Sequence, residues 1–145
     1  MLGRVLLPLF LVLSLALAAC TQAAQNGNNG KLKVVTTVSP ITSIVENIGG
    51  TRIQVEGIIP EGVNSHTFEP APSVARVMAG ADLIVLNGLF LEEPSLEMAQ
   101  ANKKEDAVIL LLGDNAISRE EWAFDFSFPE SEGHPNPHLW PDPIL

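Results

Sequence analysis

Short apolar runs alternate along the chain with stretches whose apolar residues recur at helical spacing. The runs are rich in valine, isoleucine and leucine and predict four strands, over Leu32–Val38, Arg52–Ile59, Asp82–Leu86 and Val108–Leu112. The stretches between them predict helices over 39–49, from Pro72 onward, and from Pro94 to about Asn102. Repeated strand-helix-strand order predicts the α/β class, with a parallel β-sheet flanked by helices.

Local signals mark where several of these elements begin or end. Ser39 is a candidate N-cap for the first helix, and Gly49-Gly50 is expected to end it. Asn87-Gly88 predicts a turn after the third strand. From Ile117 to Gly133 the periodicity fails, and the alternating aromatic residues there fit either an edge strand or an apolar loop packed on the domain.

The amino terminus carries the signs of an export signal. Arg4 precedes an apolar run over 5–19 that ends in small residues directly before Cys20. A membrane-spanning helix needs about 20 such residues, so the run is short for a permanent span. We therefore predict a signal peptide over residues 1–19.

The sequence Leu17-Ala18-Ala19-Cys20 resembles a bacterial lipobox. This resemblance implies a lipidated Cys20 that anchors the mature chain to the bacterial cell membrane, on the periplasmic side or the cell surface. Residues 20–31 then form the lipidated cysteine and a flexible tether, and residues 32–145 form the domain. Cys20 is the only cysteine, so no intramolecular disulfide can form.

The chain is acidic, with a formal charge of −9 from 17 acidic and 8 basic side chains. No cluster of lysine and arginine follows the predicted signal peptide, which argues against nucleic acid as a partner. From Asp114 onward the acidic side chains are opposed only by Arg119. They form either a solvated surface or a rim that attracts cations.

Two histidines lie in loops that begin and end with proline, His66 within 60–70 and His138 within 135–143. Proline stiffens the backbone, which favours side chains held in fixed directions. Neutral imidazole binds zinc, copper, nickel and iron well, so both are candidate metal ligands, although two histidines alone leave the metal open. His134 is a poor candidate, because the prolines after it prevent the helix that would bring it beside His138.

Two carboxylates lie close in sequence to these histidines. Glu69 follows His66 by three residues, and Asp142 follows His138 by four. Each could accept the second ring N–H of its histidine and fix the orientation of the ring, as metal sites commonly require. Ordinary capping of the loops is the alternative role.

Several segments match one family in order and separation: Val34-Val35-Thr36-Thr37, Ile48-Gly49-Gly50, 62–73 around His66, 81–88, and Pro137-His138-Leu139-Trp140 with Asp142-Pro143. They resemble the cluster A-I (cluster 9) metal-binding lipoproteins, the solute receptors of zinc and manganese ABC importers. In that family two α/β lobes are joined by a long helix and hold the metal between them. His66 and His138 match the two ligand positions of the first lobe.

The resemblance implies that this chain is the amino-terminal lobe of a two-lobe, periplasmic-binding-protein-like fold. The linking helix and the second lobe have no counterpart before Leu145. The implied function is that of a monomeric extracytoplasmic receptor that captures Mn²⁺ or Zn²⁺ and delivers it to an ABC transporter permease. The short segment 130–134 favours the manganese type, because zinc-type members often carry a long histidine-rich loop there. Residues 20–145 alone are expected to bind metal weakly, through two protein ligands and water.

Two other classes of function have less support in the sequence. An enzyme is not expected, because the sequence has no nucleophile elbow, no His-Glu-x-x-His motif and no phosphate-binding glycine loop. A metal-independent adhesion or structural surface lipoprotein, or a non-functional truncated receptor, is the alternative. Removing His66 distinguishes the classes, since a metal receptor would lose metal affinity and an adhesive surface would keep its partner.

Overall fold

Parallel strands form the centre of the computed structural model, which describes residues 30–142. Along the chain the strands are β1 (Leu32–Thr36), β2 (Ile53–Gly57), β3 (Leu83–Leu86) and β4 (Val108–Leu111). Their spatial order is β2-β1-β3-β4, and every neighbouring pair is parallel, as predicted. The predicted signal peptide, Cys20 and the predicted tether up to residue 29 lie outside the described residues.

Three strands, β1, β2 and β4, end earlier than predicted, because the chain leaves the sheet before their apolar runs end. β1 stops at Thr36 and β2 at Gly57. The residues just after β1 and β2 are still joined by a hydrogen bond, since the backbone N–H of Ile59 donates to the carbonyl of Thr37 at 3.2 Å. These apolar ends belong to the loops that leave the sheet.

The helices that connect the strands are α1 (Ser39–Gly49), α2 (Pro72–Ala79) and α3 (Glu93–Asn102), as predicted. α1 packs against β1 and β2, while α2 and α3 pack against each other. Right-handed crossovers in this strand order place α1 on one face of the sheet and the other two on the opposite face. Ser39 does not cap α1, because it is already the first helical residue and Val38 occupies the N-cap position.

A short helix, α4 (Leu112–Ala116), follows β4 directly, so the prediction that Leu112 ends the strand is wrong. Gly113 is buried in this helix, where a Cβ atom would lie 2.7 Å from the side chain of Leu89. Residues 117–133 are described throughout and contain no strand, only loop and 3-10 turns. Of the two alternatives predicted for this segment, the loop is therefore confirmed.

The core lies between the sheet and its helices. Val34, Ile84, Leu86 and Met78 are at most 2% exposed, and burying a side chain of this kind contributes about 1.5–3 kcal/mol. Within residues 30–142, none of the helices combines the length and the hydrophobicity that crossing a bilayer requires.

A buried carboxylate joins the ends of β1 and β3, where the strand order reverses. Glu92 Oε1 accepts hydrogen bonds from Thr37 Oγ1 at 2.6 Å and from the backbone N–H of Asn87 at 2.7 Å. Its Oε2 accepts the backbone N–H of Gly88 at 3.3 Å. Burial raises the pKa of Glu92 above its ordinary value. The edge at which parallel strands end, at such a reversal, is where α/β sheets bind ligands.

The turn after β3 lies two residues later than predicted. Leu89 and Phe90 form it, with φ of 52° and 63°, and the backbone N–H of Leu91 donates to the carbonyl of Gly88 at 3.1 Å. Positive φ strains residues other than glycine. Leu89 is 2% exposed, so its packing holds the turn in place.

Candidate metal centre

His66 lies in the irregular connection between β2 and α2. Asn64 Oδ1 accepts the backbone N–H of His66 at 3.0 Å. This bond caps a short 3-10 turn, Ser65–Thr67. The side chain of His66 is exposed. The loop therefore presents the imidazole to solvent at the carboxyl edge of the sheet.

His138 lies in a loop that is anchored more deeply. Pro135 and Pro137, on its amino-terminal side, are fully buried. The side-chain amide of Asn87 donates to the carbonyl of Pro137 at 3.0 Å. Because Asn87 directly follows β3, this bond ties the loop to the carboxyl edge of the sheet.

The two imidazoles meet at that edge, although 72 positions separate them in the chain. Nε2 of His66 lies 3.2 Å from Nε2 of His138. Two nitrogens bonded to one tetrahedral zinc ion, each at about 2.0–2.1 Å, would be about 3.3 Å apart. The pair therefore has the spacing that two ligands of one metal ion require.

Aromatic rings surround the pair. The ring of Phe128 is centred 5.6 Å from both imidazoles, and the ring of Trp140 is centred 5.1 Å from that of His138. Burial lowers the pKa of His138 below its ordinary value of 6.5, and the neighbouring His66 lowers it further. Neutral imidazole is the form that binds metals, so this environment favours the binding form.

The second ring nitrogen of His138 contacts an amide. Nδ1 lies 2.7 Å from Oδ1 of Asn136. Glu69 is exposed, and within residues 30–142 no hydrogen bond joins it to His66. The orienting roles predicted for Glu69 and Asp142 stay predictions.

His134 does not join the pair, in agreement with the prediction. Its ring stacks on Phe90 with a centroid separation of 4.2 Å. Within residues 30–142, no group of three or more histidine, cysteine, aspartate or glutamate side chains is arranged to hold a metal ion. The described residues thus bring together two candidate ligands, His66 and His138.

Sequence reasoning missed three residues beside the pair: Asn136, Asp125 and Phe128. A signal for the first was present, because both histidines follow an asparagine by two residues, as Asn64-Ser65-His66 and Asn136-Pro137-His138. Asparagine in that position commonly bonds the backbone two residues later. No local signal pointed to Asp125 or Phe128, which reach the pair from another loop.

Comparison with known proteins gives one consistent result. The family model ZnuA, described as zinc-uptake complex component A, periplasmic, matches residues 34–145. The metal ABC transporter substrate-binding lipoprotein FimA of Streptococcus parasanguinis is 36% identical, over 79% of this chain and 42% of that protein. The manganese ABC transporter substrate-binding lipoprotein PsaA of Streptococcus anginosus is 34% identical, over 93% and 44%. The chain thus spans less than half the length of these relatives.

Solved structures share the fold. The crystal structure of ZnuA aligns with a TM-score of 0.65 at 24% identity, over 79% of this chain and 41% of that one. The periplasmic zinc-binding protein TroA from Treponema pallidum aligns with a TM-score of 0.63 at 27% identity, over 77% and 38%. The α/β sheet described above therefore has the fold of the part of these proteins that aligns with it. By its matching family model and its relatives, the chain belongs to the ZnuA family.

Proposed function

We propose that this chain captures a divalent transition metal, Mn²⁺ or Zn²⁺, for an ABC importer. The observation that carries the proposal is the 3.2 Å separation between Nε2 of His66 and Nε2 of His138. Both nitrogens would bind the ion directly. The names of the relatives support this function, since they include a manganese transporter lipoprotein and a zinc-binding protein. The metal is carried as cargo, and no covalent bond is made or broken.

Two nitrogens occupy only part of the coordination shell of such an ion. Zinc takes about four ligands, and manganese favours oxygen ligands beside nitrogen. We assign residues 32–145 to the amino-terminal lobe of a longer receptor, in keeping with the share of its relatives that the chain covers. In that arrangement the remaining ligands come from beyond this lobe, or from water.

Export and anchoring complete the proposal. Residues 1–19 act as the signal peptide, Cys20 is the lipidated residue, and 20–31 is the tether that leaves the lobe free to meet the permease. The relatives are named lipoproteins, which supports an extracytoplasmic position. Metabolic labelling with a radioactive fatty acid would test it. Label that persists after Cys20→Ala would contradict the assignment.

Titration of the mature chain with Zn²⁺ and with Mn²⁺ tests the metal site. His66→Ala and His138→Ala are each expected to weaken binding by more than about 100-fold, above the usual effect of losing a hydrogen-bond partner of a ligand. His134→Ala is the matched control, because His134 stacks on Phe90 outside the pair. Tight binding that survives both substitutions would overturn the assignment of the metal site to these two histidines.

A further inference from the structure

The ring of His138 is oriented by a chain of hydrogen bonds with only one possible direction. Asn136 Oδ1 faces both the backbone N–H of His138, at 3.0 Å, and its ring Nδ1, at 2.7 Å. Asn136 Nδ2 donates to Asp125 Oδ2 at 2.7 Å. A backbone N–H can only donate and an ionised carboxylate can only accept. These two partners therefore fix which end of the Asn136 amide faces the ring.

The orientation of that amide determines the tautomer of His138. An amide oxygen only accepts, so Nδ1 of His138 carries the hydrogen. In a neutral imidazole the other nitrogen, Nε2, then has the free lone pair. This is the nitrogen that faces Nε2 of His66 at 3.2 Å. Asn136 therefore leaves Nε2 of His138, its metal-binding atom, with a free lone pair that faces His66.

Asp125 holds the far end of this chain. Its Oδ1 accepts the backbone N–H of Ser127 at 2.7 Å and that of Phe128 at 3.0 Å. The bond from Ser127 is the main cause that keeps the pKa of Asp125 below its ordinary value. The same turn carries the Phe128 ring that lies beside both imidazoles. Asp125 thus remains an acceptor for Asn136 and holds the neighbouring ring in place.

His66 has no equivalent support. Asn64 accepts only the backbone N–H of His66. Within residues 30–142, the ring of His66 makes its hydrogen bond through Nε2 alone. The carboxylate-amide-imidazole chain is thus specific to His138, and it is not a general consequence of the Asn-x-His pattern.

We propose that Asp125 and Asn136 are positioning residues for metal capture, which hold His138 as the Nδ1–H tautomer with its Nε2 lone pair facing a divalent transition-metal ion. This inference rests on the proposed function of the histidine pair. Neither residue touches the ion, and both act through His138. Hydrogen-bond partners of metal-bound histidines typically change metal affinity by about 10–100-fold.

A double substitution tests the inference, because the two side chains can exchange roles. Asp125→Asn alone sets two amide N–H groups against each other, and Asn136→Asp alone sets two carboxylates against each other. In the double variant the new amide can donate to the new carboxylate, which still accepts from His138. We expect each single substitution to weaken Zn²⁺ binding by about 10–100-fold and the double variant to recover most of the loss. A double-mutant cycle measures this coupling.

The control substitution is Asn47→Asp, which adds the same charge at an exposed position of α1. It is expected to leave Zn²⁺ affinity unchanged. A loss equal to that of Asn136→Asp would show that net charge causes the effect, and would overturn the inference.

Nitrogen NMR of the metal-free chain reads the tautomer directly and needs no substitution. Proton-nitrogen correlations within the rings are expected to place the hydrogen of His138 on Nδ1. Asn136→Ala is expected to shift His138 toward the other tautomer, whereas the exposed His134 keeps its own signals. A wild-type His138 that carries its hydrogen on Nε2 would overturn the inference, even where a variant fails to fold.

The two proposals can fail separately. If His66→Ala and His138→Ala leave Zn²⁺ binding intact, the metal site itself is wrong. If those substitutions abolish binding while Asp125→Asn and Asn136→Asp do not weaken it, only the positioning role is wrong.

Discussion

The two histidine loops share one sequence pattern and differ in how the fold holds them. In each loop an asparagine two residues before the histidine accepts the backbone N–H of that histidine, at 3.0 Å. The His66 loop adds only a short turn, and its imidazole is exposed. The His138 loop adds two buried prolines and a bond to the sheet. Burial around a motif, and not the motif itself, therefore decides how firmly the fold holds the histidine.

The anchor of the second loop extends into the core. Glu92 accepts the backbone N–H of Asn87, and the side chain of Asn87 donates to the carbonyl of Pro137. The same carboxylate accepts Thr37 Oγ1 from the end of β1. A single buried acid therefore connects two strand ends with the loop of His138, and the first loop has no such connection within the described residues.

Glu92→Ala is expected to have the largest effect on stability. It leaves the donors of Thr37, Asn87 and Gly88 without their acceptor in a buried setting, at a cost of about 3 kcal/mol of unfolding free energy. Urea unfolding measures this cost. The exposed neighbour Glu93→Ala is the control and is expected to change stability by about 0.5 kcal/mol or less. Equal losses at the two positions would refute the anchoring role.

Asn87→Ala comes next, because it keeps the backbone bond to Glu92 and removes the side-chain amide that donates to the carbonyls of Pro137 and Gly88. The carbonyl of Pro137 loses its donor, and we expect a loss of about 2 kcal/mol. The fluorescence of Trp140, two residues beyond His138, is expected to change with it, since the loop is no longer tied to β3. An unaltered emission spectrum together with unaltered stability would show that the buried prolines alone hold the loop.

Asn64→Ala is the matching change in the first loop and is expected to cost less, about 1 kcal/mol, as for a typical cap. Urea unfolding under the same conditions provides the comparison. If Asn64→Ala destabilises the chain more than Asn87→Ala does, the His66 loop is held more firmly than the His138 loop, which contradicts the difference inferred between them.

The smallest effect is the pH dependence that Glu92 contributes. Its pKa in the folded chain is raised above the ordinary value of 4.5, so the folded state binds its proton more tightly than the unfolded state. This contribution is fully present below pH 4.5 and is lost as pH rises through the raised value. Glu92→Gln is expected to remove that decline from the unfolding free energy. An identical pH profile for the variant and the wild type would contradict the shift.

The strands and helices were predictable because their signals are local. The apolar run around Val35 and the run around Ile84 each identify a strand by their own composition, and the two strands run parallel, as the predicted class requires. The convergence of His66 and His138 came from the family resemblance, since no spacing rule connects residues 72 positions apart. Local physical chemistry therefore predicted the strands and helices, whereas the resemblance to a known family predicted the candidate site.

What the sequence did not predict depends on contacts between distant segments. Asp125 reaches Asn136 across two loops without periodicity, so no pattern indicated their bond. Leu89 adopts a positive φ that its own chemistry disfavours, because its side chain is buried. Leu112 was predicted to end a strand, but it begins a helix in which close packing against Leu89 explains Gly113.

The separation of the two imidazoles also bears on the speed of capture. Fixing a flexible side chain at the moment of binding costs about 0.5–1.5 kcal/mol. Here both nitrogens already lie at the spacing that one ion needs, so folding has ordered them in advance. Under the proposed function, His138 would meet the ion without rearranging, whereas Nε2 of His66, which donates the hydrogen bond to His138, would first have to lose its hydrogen.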